Sequence, residues 1–206
     1  MVVLLDLHIP GSGGECVSRA LRSGGFDSVV CRSLDELAQA ITKADAKADR
    51  QYMRLVMGPW IESSLEGLES LIQRHRRRVA VYSVIRCPHR HALHTGTVHN
   101  SQCAQLLQYG SDSACRALWA RMAALLDWVG ASELPHATLS WLTRVTTVRL
   151  VNTKCSESDS LSTPLVNALS AESVKESVLS GQAADWWMYR RARRDGKQIP
   201  QTSPHS

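Results

Sequence analysis

The densest group of chemically capable side chains lies between residues 87 and 103. Cys87, His89, His91, His94, His99 and Cys103 place two thiols and four imidazoles in 17 residues. Zinc takes four such ligands in a structural site. Cys87, His89, Cys103 and either His94 or His99 would supply them, so zinc is the cofactor this set would hold. The spacing matches no familiar zinc module. The same residues also suit a solvated polar loop, or imidazoles acting as acid and base groups.

Basic residues form the second group. No carboxylate occurs between Glu69 and Asp112, whereas that stretch carries Arg74, Arg76, Arg77, Arg78, Arg86 and Arg90. Guanidinium groups pair bidentately with phosphates and carboxylates, so the stretch reads as an anion- or nucleic-acid-binding edge. Its bland alternative is a basic helix end, where the helix dipole favours cations. Near the C-terminus, Trp186, Trp187 and Tyr189 precede Arg190, Arg191, Arg193, Arg194 and Lys197. Aromatics beside Arg and Lys suit nucleic-acid phosphates and bases. They suit a protein interface equally, or packing of the last helix onto its own domain.

Two weaker motifs lie near the N-terminus. Pro10-Gly-Ser-Gly-Gly14 would offer backbone amides to an anion at a helix start, but no Gly-Lys-Ser/Thr follows and Glu15 would repel phosphate. Asp6 and His8, two apart on a strand, would share one face and could form a dyad. No nucleophile elbow is present.

These groups need elements to position them. Val2–Leu7, Ser28–Cys31, Met53–Met57 and Val79–Ile85 are short apolar runs that read as buried strands. Helical spacing appears in the residues after Glu15, in Leu34, Leu37, Ala38 and Ile41 behind a Ser33/Glu36 capping box, and in Leu65, Leu68, Leu71 and Ile72. A weaker helical pattern covers Ser101–Tyr109, and a stronger one Asp112–Val129. No clear fifth strand emerges. Strands alternating with helices predict an α/β domain: a three-layer, flavodoxin-like parallel sheet with helices on both faces, over residues 1–130. Residues 131–206 read as a basic, Trp-containing, mostly helical extension. Within it, 146–152 is a strand candidate, 154–163 a linker, 170–181 a weak helix, and the residues from Gln198 onward a disordered end.

The segments ALRSGGFDSVV and SLDELAQAI, followed by MRLVMGPWIESSLEGLESLIQRHRRRVAVYSVI, resemble the receiver domains of bacterial response regulators over residues 1–128. LLDLHIPGSGG taken alone is also similar to the phosphoacceptor strand of that family, but the strands after Cys31 favour the first-strand alignment. The resemblance implies an atypical receiver without its chemistry. Asp6 matches one metal-binding acid, Leu7 stands at the neighbouring acid, Gly58 at the phosphoacceptor Asp, Ser83 at the hydroxyl, and no Lys-Pro lies near Gly110. Such degenerate domains act as dimerisation or docking modules.

Of the 206 residues, 44% are hydrophobic and 21% charged, with a net charge of +5, which suits a packed core and excludes wholesale disorder. No apolar run reaches the length of a membrane span and the start is no secretory signal, so no membrane partner and a cytoplasmic location are expected. The six cysteines, Cys16, Cys31, Cys87, Cys103, Cys115 and Cys155, then read mainly as free thiols. The function expected is non-enzymatic signalling or regulation through a protein partner or self-association, with nucleic-acid binding by the basic extension. The alternative is a metal-dependent enzyme or zinc protein built on the 87–103 loop.

Overall fold

A computed structural model describes residues 3–45, 50–88, 90–91, 102–107, 111–151 and 183–197. Five strands form one parallel sheet: β1 (Val3–His8), β2 (Asp27–Cys31), β3 (Gln51–Val56), β4 (Val79–Ile85) and β5 (Trp128–Ala131). The helices are α1 (Glu15–Ser23), α2 (Leu34–Asp45), α3 (Ile61–His75), α4 (Asp112–Leu125), α5 (Pro135–Thr146) and α6 (Ala183–Lys197). A 3-10 turn covers Cys103–Gln105.

This is the expected three-layer, flavodoxin-like α/β sandwich. Its strand order is β2-β3-β1-β4-β5. β3 therefore separates β1 from β2, which the 2-1-3-4-5 order of flavodoxin itself keeps adjacent.

Alternation along each strand sorts side chains to two faces. Leu4, Tyr52, Ala80, Tyr82 and Trp128 face α1 and α5, where Val17, Leu21, Phe26, Ala137 and Leu142 complete one core. Leu5, Leu7, Met53, Leu55, Val81 and Val129 face the other side, against Leu37, Ile41, Leu65, Leu68, Leu118, Trp119, Met122 and Met188. The chain leaves β1 toward one face and leaves β3 and β4 toward the other. That reversal makes the carboxyl end of β1 a topological switch point, the usual ligand position in open α/β sheets.

Three expectations about elements change. The helix expected through Val129 ends at Leu125, and Trp128–Ala131 is the fifth strand. Residues 147–151 form no strand. The helix expected over Ser101–Tyr109 is, among its described residues, only the turn at Cys103. Of the helices after residue 131, α5 packs on β5 and α1, and α6 packs on β5 and α4. The expected linker at 154–163, helix at 170–181 and disordered end lie outside the described residues.

Candidate functional site

The carboxyl end of β1 carries a buried polar network that sequence reasoning touched only at Asp6 and His8. Asp6, fully enclosed on the α1 face, accepts on Oδ2 from the Tyr52 hydroxyl at 3.0 Å and from Arg54 Nε at 3.0 Å. Register explains the convergence, because Leu4 lies beside Tyr52 and Asp6 beside Arg54. Arg54 then reaches α1. Its Nη1 donates to Glu15 Oε1 at 2.7 Å, and its Nη2 to the Ser18 hydroxyl and, at 3.4 Å, to Gly14 O. Burial and the Asp6 charge act on Arg54 in opposite directions, and its pKa rises, so the guanidinium stays charged. Burial, reinforced by the Asp6 carboxylate, holds the Tyr52 phenol well above its ordinary range.

His8 Nδ1 stands 4.0 Å from Asp6 Oδ2, too far for a hydrogen bond. Burial lowers the imidazole pKa despite the neighbouring acid, so His8 is neutral near pH 7. The Asp6/His8 dyad therefore does not form. Asp6 is an ion-pair partner of Arg54 and an acceptor for the Tyr52 hydroxyl.

The glycine loop is shaped as its composition suggests. Gly11, Gly13 and Gly14 have φ of 72°, 93° and 92°, conformations that a side chain would strain. Glu15 occupies the first turn of α1, where an external anion would sit, and it is paired to Arg54. Burial acts to raise its pKa, but the hydrogen bond and charge of Arg54 outweigh burial and the pKa is lowered. Ser83, the hydroxyl candidate, donates to Leu7 O at 2.7 Å, inside the sheet.

Of the proposed zinc ligands, His89, His94 and His99 lie outside the described residues. Cys87 and Cys103 are free thiols. The Cys87 amide donates to Glu133 Oε1 at 2.8 Å. Cys103 is fully buried, and its thiol hydrogen bonds to Cys115. That bond and burial together push the Cys103 thiol far up, disfavouring the thiolate a metal needs. Among the described residues no three His, Cys, Asp or Glu side chains converge to hold a metal. His91 is buried, its Nε2 3.1 Å from Pro10 O, which ties this segment to the glycine loop. Cys31 and Cys115 are also free, in keeping with the expectation of mainly free thiols, whereas Cys16 is disulfide-bonded. Cys155 lies outside the described residues.

The acid-poor stretch does not form one edge. Arg74, Arg76, Arg77 and Arg78 lie at the end of α3, beside the start of β4, whereas Arg86 and Arg90 follow the other end of that strand. The seven residues of β4 separate them by about 20 Å at about 3.3 Å per residue. Arg76 is engaged within the fold: its guanidinium donates to both oxygens of Asp127 and to Leu125 O.

The C-terminal cluster divides by face. Ala184, Asp185, Met188, Tyr189 and Ala192 of α6 are buried, while Trp187, Arg190, Arg193 and Arg194 are exposed. Trp186 packs edge-on to Tyr189 with centroids 5.4 Å apart, and the Tyr189 hydroxyl donates to Glu133 Oε2 at 3.3 Å. Arg191 Nη1 donates to Ala123 O at 2.8 Å. Lys197 ends α6, and its side chain is not described. The anchor that sequence reasoning missed is Asp185. Its carboxylate accepts the amides of Gln102 and Cys103 at 2.8 and 3.1 Å and the Trp119 indole N–H at 3.0 Å. Burial outweighs those donors and pushes its pKa up to about 6. An acid directly before two Trp was the available signal.

No family model matches this chain, and no curated protein matches its sequence. No helix among the described residues is long and apolar enough to cross a membrane.

Proposed function

We propose that the protein is a non-enzymatic regulatory module that docks an acidic protein surface through the outer face of α6. The observation that carries this reading is the ridge on that face. Trp187 is 47% exposed, and Arg190 and Arg194 follow it at helical spacing, with Arg193 beside them. Trp and Arg are the commonest anchors of protein interfaces, and a large exposed indole among guanidinium groups suits carboxylates next to an apolar residue.

A protein partner fits better than a nucleic acid. Single-strand binding uses successive exposed aromatics as stacking platforms. Here Tyr189 is turned into the core and Trp186 packs against it, leaving Trp187 alone outside. The network at the carboxyl end of β1 supports a non-enzymatic reading, because Arg54, its central cation, is engaged by Asp6 and Glu15. The reading does not depend on the receiver likeness.

Selection from a random peptide library against the full chain tests the proposal. The expected winners are acidic peptides with an apolar residue that bind Trp187→Ala at least tenfold more weakly. Winners without acidic enrichment, or with equal affinity for Trp187→Ala, would overturn it.

A further inference from the structure

The opposite border of the sheet is formed by β2. Asp27, Ser28, Val29 and Val30 are all exposed there. Val29 and Val30, at 36% and 54%, are two of the four exposed large apolar side chains among the described residues. The strand sequence, DSVVC, contains neither Lys nor Pro, the residues that commonly blunt an edge.

The backbone fixes how such an edge can pair. The Asp27 amide donates to Arg50 O at 3.0 Å, toward β3. Asp27, Val29 and Cys31 thus direct their backbone groups inward, leaving those of Ser28 and Val30 to point outward. An antiparallel pair of β2 strands centred on Val29 matches this. Ser28 of each copy meets Val30 of the other and exchanges two N–H···O=C bonds, and the two Val29 residues form the close, non-hydrogen-bonded pair at the axis.

The helix behind the edge agrees with the same axis. A groove beside β2 is lined by Val29, Val30, Cys31, Glu36, Gln39 and Lys43, among others. From Leu34 to Gln39, α2 runs back about 8 Å at about 1.5 Å per residue. Cys31 to Val29 runs back about 7 Å. The midpoint between Glu36 and Lys43 therefore lies level with Val29. A two-fold axis through Val29, perpendicular to the sheet, sets α2 antiparallel to its mate and brings Glu36 of each copy to Lys43 of the other. Strand register and charge are both self-complementary under one operation, as an isologous interface requires.

We infer that the protein dimerises through β2, joining two five-stranded sheets into one of ten, with α2 helices crossing the seam. The occupant of this edge is a second copy of the chain, and the α6 face stays open at the far borders of the joined sheet.

Sedimentation equilibrium on the full chain provides the test. A reversible monomer–dimer equilibrium is expected, with the dissociation constant raised at least tenfold by Val30→Lys while the circular-dichroism melt, taken below the dissociation constant where both chains are monomers, is unchanged. Lys43→Glu should weaken the dimer, and mixing it with Glu36→Lys should form heterodimers, since each chain then offers what the other lacks. Glu36 also accepts the Arg32 amide at 2.6 Å and so helps cap α2. Lys43→Glu, which touches no cap, carries the test if Glu36→Lys fails to fold. Oxidation should cross-link Val29→Cys across the axis but not Val30→Cys. A monomer at all concentrations, a dimer indifferent to Val30→Lys, or cross-linking through Val30→Cys instead would overturn the inference. None of these outcomes bears on peptide binding by α6.

Discussion

At the scale of single residues, two buried carboxylates are treated in opposite ways. Asp6 is enclosed beside a guanidinium, whereas Asp185 is enclosed against the backbone amides of Gln102 and Cys103 and the Trp119 indole N–H. Removing Arg54 leaves Asp6 buried without its cation, and breaking a buried pair from one side costs about 3–5 kcal/mol. Arg54→Leu should therefore lower the melting temperature sharply, while Asp6→Leu/Arg54→Leu should recover most of the loss; thermal melts of both variants check this. Asp185 gives a pH dependence of definite sign. Its folded-state pKa of about 6 lies above the ordinary aspartate value of 3.8, so the folded chain binds more protons between those values. Its contribution is fully present below about pH 4 and is lost as pH rises through 6, on the order of a few kcal/mol. His8 acts oppositely: its lowered pKa removes stability as pH falls below 6.5. Urea unfolding of Asp185→Asn against the parent, from pH 4 to pH 7, should show the variant losing less stability as pH rises. An identical slope would contradict the assignment.

At the scale of elements, close approach decides what a position tolerates. A Cβ at Gly130 in β5 would run into the Thr138 hydroxyl of α5, which accepts the Trp128 indole N–H at 3.3 Å. Gly130→Ala should destabilise by about 1–3 kcal/mol through overpacking, and adding Thr138→Ala should restore part of it in a chemical-denaturation series. Arg76 is expected to matter little: its pair with Asp127 is part-exposed, so Arg76→Ala should cost no more than about 1 kcal/mol and leave peptide affinity unchanged. The elements differ in how legible they were. The capping box was readable because its partners are local, and Glu36 N does donate to Ser33 Oγ at 3.2 Å. β5 was not, because its four residues continue the apolar texture of α4 with one polar interruption.

At the scale of the molecule, local pattern specified the layers but not the order of strands within them. Apolar strands in a covered parallel sheet look alike in sequence, so nothing local says that β3 lies between β1 and β2. The same blindness hid the site. Arg54 reads as a lone charge in a strand, and only the register beside β1 reveals that it closes on Asp6. Charge runs misled for the converse reason: neighbours in sequence at Arg74–Arg90 part company across the length of β4, while residues of α6 that adjoin in sequence divide between core and surface. What remains at the surface is a basic, Trp-bearing helix on one border of the sheet and an open strand on the other.

The docking claim is tested most directly by equilibrium titration of the full chain with a fluorescent glutamate-rich peptide, beside single-stranded DNA of equal charge. The peptide is expected to bind more tightly than the DNA. Trp187→Ala and Arg190→Ala/Arg194→Ala should each weaken the peptide at least tenfold without altering the melt. Tight DNA binding with no peptide binding, or peptide binding indifferent to both variants, would contradict it.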